Sequence, residues 1–251
     1  MITRPVAIAG VVLSVFCLAV RADEPSPDSA DSLSAFVVLV DGHLAAALDS
    51  VKEAAIVPSV RSGDWEKMKG TISAVRVRCG ECAAWFAEPD GSYYTAEKGL
   101  TDQNLKDRSY FPGLMAGETV AGPLVVSEST GHKSVIVAAP VRRDDRVIGA
   151  VGVSIFLDSL SRTLRDEMAI PENMIFFALD TDGRTTLNHV PERVFLDPRD
   201  QNDPSMTAAT EEMLARKEGV VEYEFQGVRR KVRYTRSPLT GWICAVGVLE
   251  K

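Results

Sequence analysis

Residues 107–157, DRSYFPGLMAGETVAGPLVVSESTGHKSVIVAAPVRRDDRVIGAVGVSIFL, decide the fold of this chain. They open on a charged and aromatic cluster, Asp107-Arg108-Ser109-Tyr110-Phe111. Three runs rich in β-formers follow, at 124–128, 134–141 and 147–156, separated by Ser-Thr-Gly-His and Arg-Asp-Asp turn chemistry. This predicts a small antiparallel meander with an Arg-aromatic helix in front of it.

On the upstream side, residues 83–88 and 92–96 flank Pro89-Asp90-Gly91 and read as a β-hairpin, giving about five strands in all. Residues 97–106 between hairpin and cluster are polar and read as a loop. Before the hairpin, Ser62-Gly63-Asp64 supplies a cap for a helix running to about 77, with Trp65, Met68, Ile72 and Val75 on one face. Earlier still, Leu33, Val37, Val40, Leu44, Leu48, Val51 and Ala55 recur every three or four residues, the stripe of a long helix ending near Pro58. The near-heptad spacing permits either packing on the chain's own domains or a homodimer seam through this helix.

Downstream, 157–168 carries Leu157, Leu160, Leu164 and Met168 at helical spacing as an exit helix. A second unit starts near residue 169. Strands are expected at 174–179, 184–187, 220–225, 228–234 and 242–249, with a helix at 206–217 and a polar loop at 194–204. The fold class is therefore α+β: a long N-terminal helix followed by two domains, 61–168 and 169–251, each with an antiparallel sheet of about five strands.

The ordered string Asp-Arg-x-Tyr-Phe, Val-Ser-x-x-Thr-Gly, Ala-Pro-Val and Ile-Gly-Ala-Val-Gly-Val-x-Ile resembles the double Cache family of PAS-like extracytoplasmic sensor domains. The second unit extends the resemblance over most of the chain. It implies a small-molecule ligand in the first, membrane-distal-type domain, a structural membrane-proximal-type domain, and signalling through a membrane sensor kinase or chemoreceptor as a separate partner. In amino-acid-binding members an Arg and neighbouring aromatics hold the carboxylate, and an Asp in the last strand holds the ammonium. By that resemblance Arg108 takes the Arg position, with Tyr110 and Phe111 as its aromatic neighbours. Gln103 replaces an upstream Tyr, and Ser154 stands where the Asp would be. An ammonium without a counter-charge is costly in a pocket, so a small carboxylate or neutral polar metabolite is expected rather than a free amino acid.

The N-terminus reads as an export signal: Arg4, an apolar run at 6–20, and Val20-Arg21-Ala22 as a small-x-small cleavage site. The alternative is an uncleaved inner-membrane anchor, although the run is shorter than a spanning helix needs. Loss of 1–22 leaves 26 cations against 35 acids, a charge of −9, which argues against nucleic acid as a partner. The protein is expected in the periplasm or exterior, where disulfides persist.

Arg108 beside aromatics suits a carboxylate gripped bidentately while rings exclude water; a structural Arg paired to Asp102 or Asp107 is the bland reading. Lys133, Ser127, Ser129, Ser154, Tyr93 and Tyr94 are further pocket candidates, and alternation alone does not say which of them point inward. Cys79-Gly80-Glu81-Cys82 reads as a local disulfide between helix end and hairpin, and alternatively as a redox dithiol of a periplasmic thiol or hydrolytic enzyme. A structural domain with a degenerate pocket is the third reading. The histidines His43, His132 and His189 are expected to face solvent. No metal-site, nucleophile-elbow or phosphate-loop motif occurs in the sequence, so neither metal nor cofactor nor catalysis is expected.

Overall fold

The computed structural model describes residues 29–250. The export segment and its cleavage site lie outside the described residues. The chain begins with α1 (Ser29–Ala55), the short α2 (Pro58–Arg61) and α3 (Trp65–Cys79). The strands β1 (Cys82–Ala87), β2 (Ser92–Thr95) and β3 (Gly99–Asn104) precede α4 (Phe111–Ala116). Then come β4 (Val120–Val126), β5 (Lys133–Arg143), β6 (Arg146–Phe156) and α5 (Leu157–Met168). The remainder is β7 (Met174–Leu179), β8 (Thr185–Asn188), two 3₁₀ turns, α6 (Pro204–Ala215), β9 (Glu218–Phe225), β10 (Val228–Arg236) and β11 (Ile243–Glu250).

Two antiparallel sheets result. The first has six strands in the order β3-β2-β1-β6-β5-β4, and the second five in the order β8-β7-β11-β10-β9. The extra strand is β3, which sequence reading assigned to a polar loop. Its residues alternate between half-buried and exposed along the sheet edge, and it is held by pairing to β2 across a bulge between Ser92 and Tyr94. An edge strand with one partner and no apolar face carries little hydrophobic signal.

Local chemistry fixes the joints. Asp64 accepts the Glu66 amide and starts α3, and Asp203 accepts the Ser205 and Met206 amides ahead of Pro204 at the start of α6. The Asp144-Asp145 and Gln226-Gly227 pairs both take positive φ, the two-residue hairpin turn that matches strand twist.

Each sheet has one face against α1 and one face turned away. In β5 and β6 the residues Val135, Val137, Val151 and Val153 face α1, in one core with Phe36, Val40, Leu44 and Val51 of the helix. Phe176, Ala178, Trp242 and Cys244 of the second sheet join that same core. The α1 stripe is thus shared between both sheets, with the Phe36 and Phe176 rings 5.0 Å apart. Burying Phe36, Val40, Leu44 and Val51 fully contributes about 1.5–3 kcal/mol each. The faces turned away are covered separately, by α4 and its approach on the first sheet and by α6 on the second.

Candidate functional site

Strand alternation selects what the outer face of the first sheet presents. Trp85 of β1 pairs with Gly152 of β6, and any Cβ at 152 would overlap the indole. The glycine therefore leaves the space in which the Trp85 ring lies across β6, donating Nε1–H to Ser154 Oγ at 3.2 Å. The loop preceding α4 brings Arg108 and Tyr110 over this floor, and the turn after β4 brings Ser127, Glu128 and Ser129. With Tyr93, Leu105 and Ile136 they enclose a cavity of about 20 Å³, room for roughly one water.

Arg108 closes the mouth. Its Nη2 is 2.8 Å from Glu128 Oε1 and donates to the Val126 carbonyl at 3.2 Å. The Arg108 and Glu128 side chains are 26% and 42% exposed, so the pair is worth no more than about 1 kcal/mol. Tyr110 is buried. Burial pushes its phenol far above the ordinary range, with the Arg108 charge opposing, so it is a neutral hydrogen-bonding group at any physiological pH.

Six expected site residues, Tyr93, Arg108, Tyr110, Ser127, Ser129 and Ser154, meet at this cavity. Three do not. Tyr94 lies on the opposite face, stacked 4.9 Å from Trp65; its neighbour Tyr93 has the inward parity. Phe111 is the first residue of α4 and packs into the core beneath the helix. Lys133 turns toward the second sheet, donating from Nζ to the Val194 carbonyl at 2.7 Å with its ammonium 5.7 Å from the Phe195 ring. The partner of Arg108 is Glu128 and neither Asp102 nor Asp107. Trp85, Leu105 and Glu128 were not singled out; period-2 alternation through β1 is the signal that would have found Trp85.

Cys79 and Cys82 are joined as a disulfide between the end of α3 and the start of β1. Cys244 is a buried free thiol whose pKa burial raises strongly. Among the described residues no group of three His, Cys, Asp or Glu side chains is placed to hold a metal.

A second cavity, of about 70 Å³, lies on the outer face of the second sheet, between that sheet and α6. Arg193, Arg230 and His189 line it, so polar groups converge in the second unit as well as in the first. His189 is not solvent-facing: Nδ1–H donates to the Phe176 carbonyl at 3.2 Å, and burial, then the charges of Arg193, Arg230 and Arg165, lower its pKa. His132 does face solvent, with its ring stacked 4.0 Å from Phe156, while half-buried His43 pairs with Glu167 at 2.8 Å.

Two antiparallel sheets strung on one long helix, each enclosing a cavity on its outer face, define a tandem sensor-type architecture. The chain belongs to the Cache domain family, whose model matches residues 31–251. Its fold is that of the ligand-binding domain of the Pseudomonas aeruginosa PAO1 amino-acid chemoreceptor PctB in complex with L-Arg (TM-score 0.68, 16% identity, covering 88% of this chain and 93% of that one). The ligand-binding domain of the Pseudomonas fluorescens chemoreceptor CtaA in complex with L-serine is similar (0.66, 14%, 86% and 93%). An extracellular ligand-binding receptor from Desulfohalobium retbaense also matches (0.70, 14%), where 89% of this chain spans 40% of that one. No curated protein matches the chain by sequence.

Proposed function

We propose that this protein is an extracytoplasmic sensor module, without catalytic activity, that binds a small carboxylate or other small polar metabolite beside Arg108. The observation that carries this reading is the placement of the Arg108 guanidinium at the mouth of a cavity floored by Trp85 and Ser154 and walled by Tyr93 and Tyr110. A ligand carboxylate would replace Glu128 on Arg108 at small cost, because that ion pair is half-exposed. With Ser154 in the last strand, no acidic side chain rises from the floor.

Glu128 favours a second reading. It is the acidic side chain lining the cavity, and a zwitterion would divide the Arg108–Glu128 pair, carboxylate on one and ammonium on the other. The chemoreceptor domains of like fold are described in complex with L-Arg and L-serine, which keeps amino acids in the screen.

The proposal extends to organisation. Residues 61–168 form a ligand-binding domain and 169–251 a second PAS-like domain, signalling through a separate sensor kinase or chemoreceptor. The outer side of α1, where Val38 is 67% exposed, is available for a homodimer, which light scattering would test. Residues 1–22 act as a cleavable signal, and mass spectrometry of the exported protein tests that against an uncleaved anchor. A dithiol enzyme is the weaker reading, since Cys79 and Cys82 are tied to each other at a helix-to-strand joint.

A thermal-shift screen of small carboxylates and amino acids, followed by calorimetry, tests the site. Arg108→Ala should weaken the hit by about 1.5–3 kcal/mol, roughly 10- to 150-fold, and leave folding nearly unchanged. If the variant unfolds, or if it binds the hit with unaltered affinity, the site is misassigned.

A further inference from the structure

Arg230 sits in the middle of β10, paired with Tyr223 of β9 and Leu249 of β11. It shares the parity of Val232 and Tyr234, so its side chain lies under α6 at 9% exposure. Its guanidinium carbon is 4.8 Å from the Phe225 ring centre and 5.9 Å from that of Tyr223. Arg193, from the loop after β8, approaches the same Phe225 ring at 5.3 Å. Two guanidinium groups therefore meet over one aromatic ring.

Neither has a counter-charge. Among the described residues, no carboxylate forms an ion pair with Arg193 or Arg230. Acids do occur nearby, but Asp197 and Glu211 are both engaged by Arg199, and Asp203 caps α6. The neutral Tyr223 ring stands beside Arg230, while Arg230 Nε, fully buried, has no hydrogen-bond partner. Stacking on aromatic faces offsets part of the desolvation. A cation taken out of water beside a second cation is otherwise costly unless an anion joins it.

The cavity beside the two arginines is about 70 Å³, room for roughly five waters. Phe177, Met206 and Met213 give it apolar walls, and no Asp or Glu lines it. An ammonium group would meet only like charge there.

We propose that this cavity is a second ligand site, taking a small monocarboxylate with a short apolar chain, its carboxylate held between Arg193 and Arg230 and its chain against Phe177, Met206 and Met213. The site is distinct from the cavity at Arg108 and stands without it.

Calorimetry on the full exported chain, with butyrate as probe, tests this. Butyrate should bind the Arg108→Ala variant, in which the first cavity lacks its guanidinium, and adding Arg193→Gln or Arg230→Gln to that variant should weaken it about 30-fold. Butyramide, which lacks the charge, and L-alanine, which adds an ammonium, should give no heat with the Arg108→Ala variant. Arg230→Met should raise the melting temperature of the ligand-free protein, because it removes an uncompensated charge; a purely structural stacking role would lower it. Should Arg230→Gln fail to fold, Arg193→Gln, at a half-buried loop position off the sheet, carries the same comparison. Absence of butyrate binding to the Arg108→Ala variant, or binding indifferent to Arg193→Gln, overturns the proposal. Phosphate binding in place of butyrate would make the site one for inorganic anions and overturn the assignment of the apolar walls.

Discussion

Glu128→Gln separates the two ligand classes open to the Arg108 cavity. Glu128 Oε1 lies 2.8 Å from Arg108 Nη2, with the two side chains 42% and 26% exposed. A half-exposed pair of this kind contributes about 0.2–1 kcal/mol, and any carboxylate that takes the guanidinium must first displace it. Removing the internal competitor should therefore tighten a plain carboxylate by that amount, roughly 1.4- to 5-fold. A zwitterionic amino acid responds in the opposite direction. Its ammonium loses the one acidic group lining the cavity, a charge-assisted bond worth about 1.5–3 kcal/mol. The ligand should then weaken roughly 10- to 150-fold. Folding should change by no more than about 1 kcal/mol, or roughly 2–4 °C in melting temperature, because Arg108 keeps the Val126 carbonyl. Titration calorimetry on parent and variant with the screen hit reads both signs. Equal affinity in the two proteins would refute the reasoning, since it would mean that no ligand group meets either member of the pair.

Gly152→Ala forces a methyl into the Trp85 indole and should destabilise by about 1–3 kcal/mol, seen in urea unfolding together with a shifted Trp emission; an unchanged midpoint would contradict the packing of that ring. His189, lowered by burial, binds its proton less readily folded than unfolded. Its contribution is fully present above the unfolded value of about 6.5 and is lost as pH falls through that value toward the lower folded one; His189→Gln should flatten the stability profile in that window. Cys79→Ser with Cys82→Ser opens a loop so short that it should cost no more than about 2 kcal/mol, and ligand binding should survive. Loss of a measurable thiol-disulfide turnover in that double variant would instead favour an enzyme.

Much of the architecture was legible because apolar period and turn chemistry agree along the chain. The exit helix and the strand at 174–179 were placed to the residue, and the stripe from Leu33 to Val51 identified α1. The polar edge strand β3 was illegible for the reason already given: only its pairing to β2 makes it a strand. Site residues divided by parity. Tyr93 and Tyr94 are indistinguishable by type, and only the register of β2 against β1, with Phe86 opposite Tyr94, assigns Tyr94 to the α1 side. The family pattern led to Arg108 and Ser154 but could not foresee Glu128, because that contact depends on how a flexible turn comes back over the sheet. Arg193 and Arg230 are separated by 36 residues of sequence, and no local motif links them. What marks them is a missing partner, which becomes visible only when every neighbour is in place.

Lys133 gives the molecule a tether between its two ends. Its backbone begins β5, directly after the turn at 127–132 that carries Ser127, Glu128 and Ser129 onto the rim of one cavity. Its ammonium holds the carbonyl of Val194, the residue next to Arg193 on the rim of the other. A lysine stem and one hydrogen bond thus join the two rims, in addition to the rod of α1. If occupancy of one cavity moves its rim, the affinity of the other changes, and the change is equal in both directions. Cutting the tether with Lys133→Met would leave each cavity intact and leave α1 as the link between them.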